Sequence, residues 1–421
     1  MLETITLLPG VRFHSCRDNR FKQGALSVQF VRPMKKDEAA YNALLPAVLL
    51  RGSEEYPDLR AITMHLDDLY GAAVSALVRR IGDYQTTGLY CNFMEDKFAL
   101  EGDEILKPML DFVFRLLLKP RLSEGGFLPS FVESEKKNLI STIESEINDK
   151  RVYAAGKLLK ILCAEDSFSV PRLGETEDVK KITARGLYDH YRRLLQESPI
   201  ELFYVGSTPP EAVAEILRSY LRKIPRQPTQ LLPQTACVPS REQHVTEIMN
   251  VAQGKLCMGF LTPITNREAD FAAMQVMNTV FGGGMTSKLF MHVREKLALC
   301  YYIGSGYYGS KGVLTVSAGI DSDKEEITRK EILAQLEACR NGEITKEELS
   351  AAKEALLSTL ETVHDSPGAM ENYYAVGALS GICVDLAAHM ETIAAVTVEQ
   401  VAQAAKTCRY QASFFLKGEA R

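Results

Sequence analysis

The chain has 421 residues, of which 46% are hydrophobic and 24% charged, with a net charge of −5. No apolar run approaches the roughly 18 residues that a membrane helix requires, and acids and bases are interspersed without the basic stripe of a nucleic-acid binder. Nine cysteines are scattered without a C-x-x-C pair, which argues against both a disulfide framework and a cysteine-held zinc site.

The opening residues, MLETITLLPGVRFHSCRDNR, read as short strands; they lack the basic, apolar and small-residue regions of a secretion signal, so a cytoplasmic location is expected. Residues 23–33, QGALSVQFVRP, alternate apolar and polar side chains, stop at proline, and give way to helical spacing from residue 38. Strands are expected over Ala72–Phe93 and an apolar-faced helix over Glu104–Leu118. The segment ITARGLYDHYRRLLQESPIELFYVG then opens a helix on threonine and closes a short strand on glycine. Ile224–Glu247 contains Pro225, Pro228, Pro233 and Pro239 without helical periodicity and reads as a linker.

Beyond the linker the pattern returns. Residues 253–263 read QGKLCMGFLTP, and Gln253, Gly254, Leu256, Phe260 and Pro263 repeat Gln23, Gly24, Leu26, Phe30 and Pro33 at one offset, 253 − 23 = 230. The same offset carries Glu38 onto Glu268 and Gly52 onto Gly282, so a strand and the helix after it are duplicated. Helical spacing resumes at 268, followed by Gly282, Gly283 and Gly284 ahead of a helix over 286–297. These glycines match neither G-x-G-x-x-G nor G-x-x-x-x-G-K-[ST], so a tight turn explains them better than a phosphate loop. Strands over Cys300–Ile320 and a helix over Lys324–Cys339 follow. Thr345 with Glu348, and Thr397 with Gln400, have capping-box spacing, and the chain ends as the first copy did, in CRYQASFFLKG. The reading is α+β: two homologous modules, each a mostly antiparallel sheet with helices packed on one face, spanning 1–223 and 248–421 with a linker at 224–247.

The strings ALLPAVLLRGSEEYPDLRAI (43–62), LYDHYRRLL (187–195), FGGGMTSKLF (281–290) and VREKLALCY (293–301), set in this duplicated frame, resemble the pitrilysin and insulinase family of zinc peptidases, which includes the mitochondrial processing peptidases. The resemblance spans nearly the whole chain and implies that family's duplicated metallopeptidase fold. In active members the first string carries H-x-x-E-H: two histidines one turn apart bind Zn²⁺ and the glutamate acts as general base on the metal-bound water. Aligned through Arg51, Gly52 and Ser53, those positions fall on Ala43, Pro46 and Ala47, none of which can ligate metal or take a proton. The family's third ligand falls near Thr142, with Glu144 and Glu146 close by, and these acids read as a solvated helix face. Pro46 further predicts a helix that is kinked or begins late. No two of the seven histidines lie within ten residues of each other, and His65 with Asp68 reads as an ordinary surface pair.

The family's substrate-side element is kept. Arg294 and Tyr301 match its arginine and tyrosine, and the resemblance implies that with the Gly282–Gly284 turn they form a substrate-binding element whose two donors hold a peptide carbonyl. The segment 312–320, GVLTVSAGI, offers a further strand to which a peptide could add. Some members of the family act as pairs, one chain supplying H-x-x-E-H and the other Arg and Tyr. The expectation is therefore a substrate-binding subunit that is not catalytic on its own and binds no cofactor, with zinc on a homologous partner chain. Self-association is the other partner reading, and a peptide-binding or scaffolding protein without proteolytic activity is the functional alternative.

Overall fold

The structure, a computed structural model, describes residues 2–239, 241–382 and 385–419. Its strands are β1 (Leu2–Leu8), β2 (Val11–Arg17), β3 (Gln23–Pro33), β4 (Ala73–Ile81), β5 (Tyr84–Met94), β6 (Leu122–Ser123), β7 (Gly126–Phe127), β8 (Ile200–Gly206), β9 (Gln243–Met249), β10 (Gly254–Leu261), β11 (Cys300–Tyr308), β12 (Val313–Ile320) and β13 (Arg409–Gly418). The helices are α1 (Lys36–Leu49), α2 (Leu59–Asp68), α3 (Leu106–Leu118), α4 (Pro129–Ser145), α5 (Lys150–Leu162), α6 (Thr176–Lys181), α7 (Ala184–Glu197), α8 (Pro210–Leu221), α9 (Phe271–Gly282), α10 (Glu325–Arg340), α11 (Lys346–Glu361), α12 (Pro367–Leu379), α13 (Leu386–Ala395) and α14 (Val398–Thr407). A π-helix, Leu289–Lys296, lies between α9 and β11. Cys383 falls outside the described residues; the other eight cysteines are buried.

Two compact units form, and neither is one continuous stretch. The first comprises Met1–Glu144, Val170–Pro233 and Val363–Leu379, the second Ser145–Ser169, Gln234–Thr362 and Ser380–Arg421. The division drawn from sequence, 1–223, 224–247 and 248–421, therefore differs in two places. Helix α5 comes from the first half of the sequence and belongs to the second unit, whereas α12 makes the opposite exchange. The proline-rich segment also ends in structure, because Gln243–Met249 pairs in parallel with β13.

The duplication is visible in strand order. In the first unit the sheet runs β1-β2-β8-β3-β5-β4, and in the second β11-β12-β10-β13-β9. Strands β3 and β10 occupy equivalent central places, each with antiparallel neighbours on both sides. The one parallel pairing in each sheet is also equivalent, β2 with β8 and β9 with β13. The repeated Q-G has a packing reason. A Cβ on Gly24 would come 2.3 Å from Glu95 Oε1, and one on Gly254 would come 2.8 Å from the Phe415 ring, so a neighbouring side chain crosses the strand at the same point in each copy. Segment 312–320, expected as a strand for peptide addition, is interior: β12 lies between β10 and β11, and the edges of this sheet are β11 and β9.

Alternation along the strands splits each sheet into two buried faces. In the first unit Leu202 and Phe30 face a core built with Leu44, Leu45 and Val48 of α1 and Phe112 and Leu116 of α3. Phe203 and Val205 face the other way, onto Met370, Tyr374 and Ala375 of α12. The second unit repeats this, with Met258 and Phe415 toward α9, and Cys257 and Phe414 toward Leu158 and Leu162 of α5. Helices thus pack on one face of a largely antiparallel sheet, as expected, and one exchanged helix covers the other. Glu371 of α12 has a fully buried side chain. It accepts from Ser27 Oγ at 2.6 Å, Gln29 Nε2 at 2.8 Å and both Arg79 terminal nitrogens at 2.9 and 2.8 Å.

Candidate functional site

Helix α1 carries the three positions that aligned with the zinc motif. Ala43 and Pro46 are buried and Ala47 is half-buried. The helix does not begin late: it runs from Lys36 to Leu49 with Pro46 inside it. Proline has no N–H to give to the carbonyl four residues back, and that orphaned acceptor, Asn42 O, instead receives the Thr87 hydroxyl at 2.6 Å from neighbouring β5. Thr142, Glu144 and Glu146, near the expected third-ligand position, are all exposed, and the Thr142 hydroxyl bonds back to Asn138 O at 2.9 Å. Two alanines and a proline offer no donor to a cation, so the residues present do not fit a zinc ion. Among the described residues no three His, Cys, Asp or Glu side chains group as a metal site.

The face of α1 has a different polar content, which sequence reasoning missed. Asn42 is fully buried; its Nδ2 donates to Gln85 Oε1 at 2.8 Å and its Oδ1 accepts from His190 Nε2 at 2.7 Å. Gln85 in turn donates to Ala39 O and Arg172 O. Donation through Nε2 leaves His190 Nδ1 as the acceptor for Arg193, 3.3 Å away, the arrangement of a neutral imidazole. Burial holds its pKa down to about 4. Beside it Glu38 pairs with Arg32 at 2.9 Å. The available signal was Asn42 itself, a polar residue inside an apolar helical run. His65 is half-buried: its ring packs against Tyr56 and Phe112 at 4.8 and 5.0 Å, and Asp68 acts on it electrostatically.

Arg294 and Tyr301 come together in the second unit. Both line a pocket of ≈320 Å³ with Glu295, Ala298, Asp321 and Lys324. Three backbone irregularities surround it. Arg294 sits on the π-helix, a rare form that widens each turn by one residue. Ala298, just after it, has φ +47°, a left-handed conformation in which glycine is the usual cap. Tyr301 is the extra residue of a β-bulge, because Cys300 pairs with Ile320 and Tyr302 with Gly319. A bulge on an edge strand re-aims the side chain it carries. At the other end of the helix, buried Lys288 pairs with Glu348 at 3.0 Å, and that carboxylate also completes the Thr345 capping box.

Arg294 lies over the Phe290 ring at 4.7 Å and is 3.6 Å from Glu295. Tyr301 is 61% exposed and donates to Asp321 Oδ1 at 3.1 Å, and this bond raises the phenol pKa. The glycines lie apart from this pocket's lining. Gly282 ends α9, where a Cβ would stand 2.7 Å from Ser305 Oγ, and a Cβ on Gly283 would stand 2.7 Å from Thr279 Cα; Gly284 has open space. Their role is close approach between α9 and β11 together with a turn, and the helix they precede is the π-helix.

A sequence profile described as the peptidase M16 inactive domain matches residues 181–356. A Bacillus subtilis (strain 168) protein named "Probable inactive metalloprotease YmfF" is 30% identical over 410 residues, covering 97% of this chain and 96% of that protein. Among solved structures, a conserved protein from Enterococcus faecalis V583 superposes with a TM-score of 0.93 at 27% identity, covering 100% of this chain and 99% of the other. A peptidase M16 inactive domain from Pseudomonas fluorescens shares the fold at a TM-score of 0.81 and 18% identity, with 100% and 98% covered.

Proposed function

We propose, from the premise that this chain belongs to the M16 peptidase family, that it is the substrate-binding member of a pair whose other chain carries H-x-x-E-H. The chain is a non-catalytic peptidase homologue: α1 retains no metal-binding or proton-accepting side chain at the three motif positions. The observation that carries the further step is the contrast between α1 and the Arg294/Tyr301 pocket. Where α1 has no donors the helix is packed, and the one carbonyl that Pro46 leaves without a helical partner is satisfied by Thr87. Around Arg294 and Tyr301 three irregularities occur, of kinds that concentrate at functional sites, and the left-handed Ala298 alone costs about 1–3 kcal/mol. In this reading Arg294 and Tyr301 hold the main chain of an extended peptide, zinc belongs to the partner chain, and the pair works in the cytoplasm.

Purifying the full chain from its native cell and identifying bound proteins by mass spectrometry tests the reading. A homologous chain bearing H-x-x-E-H should be recovered in equal amount. Arg294→Ala should leave that assembly intact while lowering the pair's peptidase turnover about 10²-fold, the effect of losing one donor to a developing oxyanion. Recovery of the chain alone or with unrelated proteins, together with a silent Arg294→Ala, would replace this reading with a binding or scaffolding protein. Chelator-sensitive proteolysis by the chain alone would refute both.

A further inference from the structure

The two large sheets match strand for strand through β3 and β10, with β4, β5, β8 and β2 of the first unit corresponding to β11, β12, β13 and β9 of the second. Strand β1 has no counterpart among the described residues. Register carried from Ala25 to Val205 to Cys16, and from Lys255 to Leu416 to Glu247, sets Phe13, His14, Ser15 and Cys16 of β2 against His244, Val245, Thr246 and Glu247 of β9. The four residues of β2, paired antiparallel with β1, are all buried, whereas those of β9 alternate exposed and half-buried. The other edges of the two sheets carry features that discourage strand addition. Strand β1 has a register shift between Thr6 and Leu8, β11 has its bulge at Tyr301, and β4 has Arg79 and Arg80. By contrast β9, QHVTEIM, contains no lysine, arginine or proline, and its pairing with β13 runs without a shift. Its one carboxylate, Glu247, is answered within the unit by the Tyr153 hydroxyl at 2.6 Å and Lys157 Nζ at 3.3 Å.

We infer that the outer edge of β9 receives an extended segment of another protein, which pairs antiparallel with Gln243–Met249 as β1 pairs with β2 and adds a sixth strand to this sheet. The site lies at the opposite edge of the sheet from Tyr301 and is independent of that pocket. An edge of seven residues is a strip about 23 Å long and about 5 Å wide, far below the roughly 800 Å² that each partner of a stable dimer buries, so it fits a peptide segment and not a second copy of this chain. The segment it fits has no proline, a β-branched or other apolar side chain opposite Val245, and no carboxylate opposite Glu247. His244 and Glu247, where β2 has Phe13 and Cys16, are groups that water satisfies while the edge is free, as a strand that docks and leaves requires.

The test uses the full chain and a fluorescein-labelled peptide of alternating threonine and valine with a lysine at each end. Bound peptide should slow amide hydrogen exchange within residues 243–249 and leave β11 and β4 unchanged. The same peptide N-methylated at four consecutive central residues, so that neither of its edges can donate, should bind at least about tenfold more weakly, the loss of two or more ladder bonds. Thr246→Lys combined with Ile248→Lys, both at exposed positions, should weaken the unmethylated peptide by about tenfold. Protection at β11 or β4 in place of β9, equal binding of the two peptides, or binding of neither would overturn the inference. A dimer in analytical ultracentrifugation that the unmethylated peptide disperses would give the edge to a second copy and overturn it as well.

Discussion

Thr87 should hold helix α1 in place only because Pro46 is there. The Thr87 hydroxyl lies 2.6 Å from the Asn42 carbonyl, which the proline deprives of its helical partner, and both residues are buried. Thr87→Val keeps the shape and removes the hydrogen bond, leaving a buried carbonyl unpaired at a cost of about 1–3 kcal/mol. Pro46→Ala restores an N–H four residues after Asn42, so in that background the same carbonyl keeps a partner and Thr87→Val should cost only about 0.5–1 kcal/mol. The double-mutant cycle should therefore show a coupling of about 1 kcal/mol, whatever Pro46→Ala does alone by removing its ring from beside Phe30 and Leu49. Amide hydrogen exchange along residues 47–50 is the suitable assay, because it reports local opening of α1 without requiring a 421-residue chain of two units to unfold in one step. A coupling of that size changes exchange about fivefold. Strict additivity of the two substitutions would refute the account of how the helix accommodates its proline.

Two further outcomes follow from buried charge. Glu371→Ala should destabilise the first unit by about 1–3 kcal/mol in denaturant titration, because it leaves buried Ser27 and Gln29 without their acceptor, while Arg79, a quarter exposed, can turn to water. For pH, folded His190 titrates near 4 and an unfolded histidine near 6.5, so between those values the unfolded chain binds more protons. Stability from this group is full above about pH 6.5 and falls toward pH 4 by about 3 kcal/mol, with Arg193 and Arg32 opposing protonation and Glu38 favouring it. His190→Gln should flatten that slope in urea titrations at stepped pH, leaving the loss from Glu38, whose pKa is lowered against its burial by Arg32, to appear at more acid pH.

The parts of this fold that were legible in the sequence are those specified by neighbouring residues or by repetition. Both capping boxes form as spaced, each with the threonine side chain and the Glu348 or Gln400 side chain bonding reciprocally. The central strands were legible because the chain states them twice, and Gly24 and Gly254 recur since each is crossed by a side chain that a Cβ would strike. The exchange of α5 and α12 was not legible, because an apolar stripe such as Leu158 and Leu162 shows that a helix is covered without naming the sheet that covers it. The π-helix and the bulge escaped for a related reason. Leu289–Lys296 has ordinary helical composition, and nothing in it marks the extra residue per turn that it takes between Lys288, held by Glu348, and the left-handed Ala298. Edge or interior position is likewise a property of the sheet, which is why β12 read as an available strand and β11 and β9 are the ones at the edges.

Divergence between the two copies is better described as a loss of difference at one helix. At the offset of 230, Ala43, Pro46 and Ala47 correspond to Ala273, Val276 and Met277, all buried in α9. Helix α1 resembles the helix of the other copy, with apolar groups filling the positions at which a metal-binding helix needs donors. Its surroundings oppose donors there. Asn42 is now held by Gln85 and His190, and the Pro46 gap by Thr87, so reinstating histidines at 43 and 47 would force large side chains into a packed face and disturb a satisfied network. No such packing presses on Arg294 and Tyr301, which stay exposed although a regular helix and a regular strand would have been less costly to build. Backbone irregularity around two exposed side chains in the second unit, with a packed scaffold helix at the equivalent place in the first, is what the proposed function requires of a chain that would hold a substrate without performing the chemistry.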